Sequence, residues 1–401
     1  MLSLSMIVLN EEGRLGRCLE SVKGFVDEIV ILDTGSTDQT VPIAKAAGAI
    51  VETIPWPGDF APARNKALDL VKGDWVLVLD ADEQIYQECI PQLNAYMSME
   101  DVLLINLLRY EYGALMSPYS SVSRLFRRHP KIKWSRPYHS IIDDSINNIL
   151  SNESSWRILD CTKPAIKHEG YKPDLLAKTD KEQRLRIAME KWLIKFPSDP
   201  YACAKLGALE VSSGFFNKGV KLLNAGLKSI KSSKDNISEH YELLFNLAIA
   251  FSKKDPVSSI KYYRQALTLD IPPRIKIGSM LNLSALLFNQ GKLDEAMRLT
   301  SQVVKQAPEV PIGWYNLGLI QRRLGYVKKA VLSYSRSIDL NPNHVESYQN
   351  LAFAMFIEGN IKGARQNFIK ALALLKDQSR DEEAIELSNK IQGMIKVEDN
   401  K

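Results

Sequence analysis

The chain has 401 residues, 45% apolar and 25% charged, with a net charge of +5 at neutral pH. That is the composition of a folded, water-soluble protein too long for one ordinary core, so two domains are expected. The charge is mild and forms no dense basic run, which suits an anionic small-molecule substrate and argues against nucleic acid; no stretch approaches the roughly 18 apolar residues a membrane span needs.

The N-terminus, Met1 to Leu9, has no basic leader and runs straight into Asn10-Glu11-Glu12, so it reads as a first strand and not as a signal peptide. Cys18, Cys89, Cys161 and Cys203 are scattered with no CxxC pair, which points to a reducing compartment. A cytoplasmic location follows as the expectation. Leu4–Leu9, Glu28–Leu32, Ile50–Ile54, Trp75–Leu79 and Val102–Leu108 read as strands, with helical spacing over Leu15–Lys23, Val41–Ala47 and Ala61–Lys72 between the first four. Ser36-Thr37-Asp38-Gln39 resembles a capping box, although Pro42 moves the expected helix start a residue or two later. Alternating strands and helices of this kind predict an α/β domain with a mostly parallel sheet covered on both faces.

In such sheets ligands bind at the carboxyl ends of the strands. Three predicted strands end in polar, chemically capable residues: Asn10-Glu11-Glu12, Asp33-Thr34-Gly35-Ser36 and Asp80-Ala81-Asp82-Glu83. A lone DxD pattern carries little, but Asp80 and Asp82 terminate the fully apolar Trp75–Leu79 run. Two hard oxygen donors there, beside a diphosphate, suit Mn2+ or Mg2+.

From about residue 200 the rhythm becomes long amphipathic helices with an internal period. Met280, Trp314 and Tyr348 recur every 34 residues, and the same register aligns Gly291, Gly325 and Gly359, then Ala296, Ala330 and Ala364. That period resembles the tetratricopeptide repeat. Two looser units precede it, one from Tyr201 to Gly226 and one from Tyr241 to Ala266, giving about five units of an all-α solenoid. Trp314, Tyr315, Tyr334 and Tyr348 are expected to pack in its core. The expected boundaries are a catalytic domain over 1–175, a connecting helix over 176–200, repeats over 201–378, and a capping helix and tail over 379–401.

The stretches Ile7-Val8-Leu9-Asn10-Glu11, Ile31 through Asp38, Asp59-Phe60-Ala61-Pro62-Ala63-Arg64-Asn65 and the Asp80/Asp82 segment follow one another across residues 1–110. In this order they resemble the family 2 glycosyltransferases, which have the A-type nucleotide-sugar fold. With its appended repeats the chain is similar to a bacterial subgroup that includes the peptide S-glycosyltransferases of bacteriocin pathways. The resemblance implies an inverting, metal-dependent transfer of a hexosyl or N-acetylhexosaminyl group, with a UDP-sugar as the expected donor. It implies that Asn10, Glu11, Asp33, Arg64 and Asp80 bind the nucleotide sugar. In that scheme Asp33 accepts the imide N–H of the base, Arg64 lies against the base or phosphates, and Asp80 contacts ribose or sugar. Asp82 then holds the metal. Ile166-Lys167-His168-Glu169-Gly170-Tyr171 matches the family's closing His-x-Gly-Tyr element, which implies His168 as a further metal ligand.

The chain departs from the family at one place. Many relatives carry His-Glu where this sequence has His139-Ser140, and that Glu is the usual general base. Serine has no useful basicity, so the base is sought at Asp143 or Asp144, with His139 a further candidate. Three readings of function stand at this point. A polypeptide acceptor is favoured, because repeat grooves commonly grip peptides. A surface-polysaccharide or lipid-linked glycan acceptor is the alternative, and a catalytically inactive scaffold that binds partners through its repeats is the third.

Overall fold

The computed structural model describes residues 1–114, 117–138, 140–169, 179–230 and 236–392. His139, Gly170, Tyr171, most of the loop Lys231–Asn236 and the tail beyond Gln392 lie outside these residues. Two compact units are formed, one by Met1–Phe251 with Leu269–Ile275, the other by Ser252–Thr268 with Lys276–Lys401.

In the first unit, eight described strands make one sheet: β1 (Leu2–Val8), β2 (Glu28–Asp33), β3 (Ile50–Thr53), β4 (Trp75–Val78), β5 (Glu83–Ile85), β6 (Val102–Glu111), β7 (Tyr119–Arg127) and β8 (Arg157–His168). Their spatial order is β3-β2-β1-β4-β7-β6-β8-β5. β3, β2, β1 and β4 run parallel, with Val8 beside Asp33 and Ser5 beside Val78, so these strands finish at the same edge. The far half is mixed: β7 is antiparallel to both β4 and β6, β6 and β8 are parallel, and β5 is antiparallel to β8. β5, β7 and β8 are strands that apolar patterning does not announce. β5 spans three residues, β7 carries three serines and two arginines, and β8 contains a proline and two lysines. Their pairing depends on partners distant in sequence.

The sheet is flanked by α1 (Leu15–Ser21), α2 (Thr40–Ala46), α3 (Phe60–Leu70), α4 (Ile90–Met97) and α5 (Asp143–Asn152). α2 begins at Thr40, after a Gln39 whose side chain does not cap it; the Thr40 N–H goes to the Asp38 carboxylate at 2.9 Å, and Pro42 falls in the first turn, where no amide is missed. Asp59 caps α3 by accepting from the Ala61 N–H. Ala63 and Ala67 of α3 pack on Leu32. Ile142, Ile146 and Ile149 seat α5 on Val76, Val78, Leu104 and Phe126; burying each such side chain contributes about 2 kcal/mol.

The first unit continues with α6 (Thr179–Lys195), α7 (Pro200–Ser212), α8 (Phe216–Ser229) and α9 (Ile237–Phe251). Met189 of α6 is buried with Tyr201, Leu206 and Leu209 of α7. The second unit is helical: α10 (Pro256–Thr268), α11 (Ile277–Asn289), α12 (Leu293–Gln306), α13 (Pro311–Arg323), α14 (Val327–Leu340), α15 (Val345–Ile357), α16 (Ile361–Asp377) and α17 (Asp381–Gln392). The 34-residue period has a physical origin in each pair. Gly291, Gly325 and Gly359 turn the chain between helices with φ of 75°, 83° and 82°, a region that favours glycine. Ala296, Ala330 and Ala364 are fully buried where the two helices meet. Gly318 lets α13 approach α14: a Cβ there would lie 2.6 Å from the ring of Tyr334, which is fully buried. Gly318→Val is therefore expected to cost about 2–3 kcal/mol by overpacking. A urea midpoint equal to the wild type's would contradict that close contact.

Candidate active site

The sheet edge is assembled by loops that bind one another. After β1, Asn10 adopts φ 54°, a left-handed conformation that asparagine tolerates better than most residues. Its N–H donates to Ser36 Oγ at 2.9 Å, and its side-chain oxygen accepts the Thr37 N–H at 2.9 Å. Glu11 N–H donates to Thr40 Oγ1 at 2.7 Å. The loops after β1 and β2 thus form one surface. Arg14 extends it to the loop after β4, lying 2.6 Å from Glu11 and 3.9 Å from Asp82. Burial raises the Glu11 carboxyl above the usual range, with Arg14 opposing it.

Asp33 is almost wholly buried, and its carboxylate accepts the N–H groups of Gly35 and Ser36 at 3.1 and 3.2 Å. It closes its own turn, with Gly35 at φ 108° completing the bend. A carboxylate has about four acceptor positions, so these bonds leave capacity for a ligand donor.

Asp80 is gripped from two sides. Arg64 Nη2 donates to Oδ1 at 2.7 Å and Arg124 Nη2 donates to Oδ2 at 2.9 Å. Burial would raise the Asp80 carboxyl, but the two guanidinium groups hold it well below the carboxylate range. Arg64 also stacks on Trp134, its guanidinium carbon 4.9 Å from the ring centre. Nη1 of each arginine is buried without a hydrogen-bond partner among the described residues, although Glu83 lies 3.8 Å from that of Arg124, and such a donor is costly unless an oxygen takes it. Arg124 reaches Asp80 through a β-bulge. Ile105 faces Leu125 while Asn106 faces Ser123, so Arg124 is an extra residue and the strand re-aims it.

Behind this edge runs a buried ionic chain. Glu83, fully buried, accepts the Asp80 N–H at 2.9 Å and Arg109 Nη1 at 2.7 Å. Arg109 also donates to Glu111 at 2.9 Å, and Glu111 bonds His168 Nδ1. His168 Nε2 lies 3.4 Å from Asp82 Oδ2. The register of β8 explains how a distant histidine arrives here: His168 stands opposite Glu83 on β5 and beside Glu111 on β6.

Burial disfavours the His168 imidazolium, yet hydrogen bonds to Asp82 and Glu111 outweigh it and lift the group to about 9. Burial likewise opposes ionised Glu111, but His168 and Arg109 bring it down to about 2. Stability from His168 is complete below about 6.5 and is lost as pH rises through about 9; stability from Glu111 is complete above about 4.5 and lost as pH falls toward about 2. Chelated protein is thus expected to lose up to about 3 kcal/mol between pH 6.5 and 9.5, from a shift worth 1.4 kcal/mol per unit. Melting across that range checks it. His168→Gln should flatten the decline, and an equally steep decline in that variant would contradict the pairing.

The fit of a divalent ion can be judged from these contacts. Asp82 and His168 Nε2 are adjacent, and Glu111 holds the other ring nitrogen, the orientation found behind metal-ligating histidines. Among the described residues no group of three or more His, Cys, Asp and Glu side chains gathers to hold a metal. The pair fits an ion whose remaining positions are filled by phosphate oxygens and water.

The base candidates separate clearly. Asp144 accepts two N–H groups of Arg136 at 2.7 and 2.9 Å and the Ser135 hydroxyl at 2.6 Å. Burial would raise it, but these bonds hold it below its ordinary value. Asp143 accepts the Ser123 hydroxyl at 2.9 Å and a backbone N–H, and burial outweighs both and lifts its carboxyl. Ser123 and Arg124 are neighbours in β7, so Asp143 and Asp80 are held by adjacent residues. Ser140 is buried, its hydroxyl without a hydrogen-bond partner among the described residues. Arg124, Arg109, Glu111 and Trp134 are the site residues that the sequence does not announce, while Glu83 stands at the expected strand end with a role only the fold reveals.

Residues 3–159 match the family described as glycosyl transferase family 2. Tetratricopeptide repeats match at 277–300, 311–344 and 333–366. The chain is 38% identical to a TPR repeat-containing protein of Synechococcus elongatus, over 98% of this chain and 96% of that one. It is 30% identical over 213 residues to the SPbeta prophage-derived glycosyltransferase SunS of Bacillus subtilis, covering 49% of this chain and 48% of that one. A solved MamA structure from Desulfovibrio magneticus covers 45% of this chain and 97% of its own, at 19% identity and a TM-score of 0.40. Among the described residues no helix is long and apolar enough to cross a membrane.

Proposed function

Because the chain belongs to the family 2 glycosyltransferases that carry tetratricopeptide repeats, we propose that it is an inverting, metal-dependent enzyme transferring a hexosyl or N-acetylhexosaminyl group from a UDP-sugar to a polypeptide in the cytoplasm. The observation that carries this reading is the adjacency of Asp82 and His168 at the edge where β1, β2 and β4 end. Mn2+ or Mg2+ bound by that pair would supply positive charge to the departing diphosphate.

The remaining work falls to the chain's own groups. Asp33, already fixed by its turn, offers spare lone pairs to the imide N–H of a uracil ring. The Nη1 groups of Arg64 and Arg124, which make no hydrogen bond among the described residues, take phosphate or sugar oxygens, while the Asp80 carboxylate between them accepts a sugar or ribose hydroxyl in exchange for part of its arginine bonding. Donors fixed in advance at the site of developing charge stabilise the transition state without reorganising. Asp143 receives the acceptor's proton; burial makes it a stronger base than an ordinary carboxylate, and Asp144 is spoken for by Arg136. The tetratricopeptide helices supply a polypeptide-binding surface.

Incubating the chain with a panel of nucleotide sugars and following nucleotide release tests the donor. A UDP-sugar should be consumed and GDP- and ADP-sugars spared. With the preferred donor radiolabelled, label should enter protease-sensitive material in a cell lysate. Label in protease-resistant, lipid-extractable or glycan material would replace the polypeptide with a glycan acceptor, and consumption of no donor would leave only a scaffold.

A further inference from the structure

The first helical pair after the sheet domain is joined to the helix that carries Asp143 by one side chain. We infer that Arg136 is a positioning residue, clasping α7 to the start of α5 so that Asp143 is held in register for the acceptor; this rests on the reading of Asp143 as the base. Ser135 and Ile141 pair with each other, at 2.8 and 3.0 Å, and close the segment between them. Within it Arg136 has φ 67°, a left-handed conformation unusual for a long side chain. That conformation costs on the order of 1 kcal/mol and persists only where contacts over-determine it.

The contacts are dense. Arg136 Nε and Nη2 fork onto the two oxygens of Asp144, at 2.9 and 2.7 Å, while Nη1 reaches both oxygens of Asp199, at 3.1 and 3.2 Å. The guanidinium lies 5.1 Å from the ring centre of Tyr201 and its side chain is 11% exposed. Asp199 caps α7, accepting the Ala202 N–H at 2.8 Å. Asp144 directly follows Asp143 in the first turn of α5. One planar fork thus fixes the N-terminal turns of two helices on different elements of the fold. Tyr138 and Ile141, from the same segment, pack with Met189, Tyr201 and Leu206 around it. An exposed ion pair would contribute little, and Asp144 is itself 43% exposed, but the arginine is largely buried, stacked on Tyr201 and shared between two carboxylates, which is where arginine and lysine cease to be interchangeable.

The test compares Arg136→Gln, Arg136→Lys, Asp199→Asn and Asp143→Asn in the full chain. UDP-glucose and UDP-N-acetylglucosamine serve as probes, with release of UDP to water as the reaction. UDP binding by calorimetry and the melting temperature are read in parallel. Arg136→Gln should lower kcat about tenfold with donor KM and UDP affinity within about twofold of wild type. Asp199→Asn should do the same more weakly, and Arg136→Lys should recover part of the loss. Wild-type kcat in Arg136→Gln beside an inert Asp143→Asn would overturn the clasp alone. An active Asp143→Asn would overturn the base and the clasp together. Parallel losses of kcat, UDP affinity and melting temperature, with no recovery by lysine, would reduce Arg136 to a structural tie.

Discussion

Asp82→Ala is expected to fold normally and lose at least about 100-fold in turnover, with most of its metal-dependent UDP affinity. The fold should survive with a modest loss of stability, because the Asp82 side chain meets His168 and Arg14 at the sheet edge while Glu111 keeps hold of the histidine's other nitrogen. Its backbone carbonyl, which accepts the Glu169 N–H at 3.1 Å, is untouched by the substitution. What is lost is one of two adjacent donors and a bond that lifts the His168 imidazole, so the ring titrates lower than about 9 and becomes easier to deprotonate. A gain in neutral imidazole cannot replace a carboxylate against two positive charges. Undiminished UDP release by a folded Asp82→Ala would therefore refute the metal assignment.

Asp143→Asn should cost about 100-fold or more in kcat with donor affinity unchanged, the scale of a lost general base. Asparagine keeps the volume and can still accept from Ser123, so the change isolates basicity from packing. Asp144→Asn is the comparison. It should act mainly through Arg136, with the smaller effect, since Asp144 is already committed to that fork. In the wild type the rate should rise with pH through a pKa above the ordinary carboxylate range, because burial is what lifts Asp143. An acid limb at an ordinary carboxylate pKa, or equal losses in the two variants, would move the base elsewhere.

The sheet edge was legible because its signals are local. An apolar run ending in Asp80-Ala81-Asp82 announces a strand and its terminus together, and the 34-residue recurrence of Gly291, Gly325 and Gly359 marks helix turns directly. The arginine clamp was not legible, because Arg124 is aimed by a bulge whose register exists only once β6 and β7 pair. Glu83, Arg109 and Glu111 are ordinary charged residues in the sequence; only the order β6-β8-β5 stacks them behind His168. Asp33 shows the limit from the other side. Its type and place were evident, but its bonds to Gly35 and Ser36 depend on a turn that sequence spacing does not draw. Asp143 and Asp144 are adjacent and chemically identical, and they differ only in what the fold sets against them.

The carboxyl edge of this sheet is expected to bind a nucleoside diphosphate through a cation shared by Asp82 and His168. Calorimetric titration of the full chain with UDP, once with Mn2+ and once with chelator, tests it most directly. Binding should be clear with Mn2+ and weaken about tenfold or more under chelation. Equal affinity in both, or no heat in either, would contradict it.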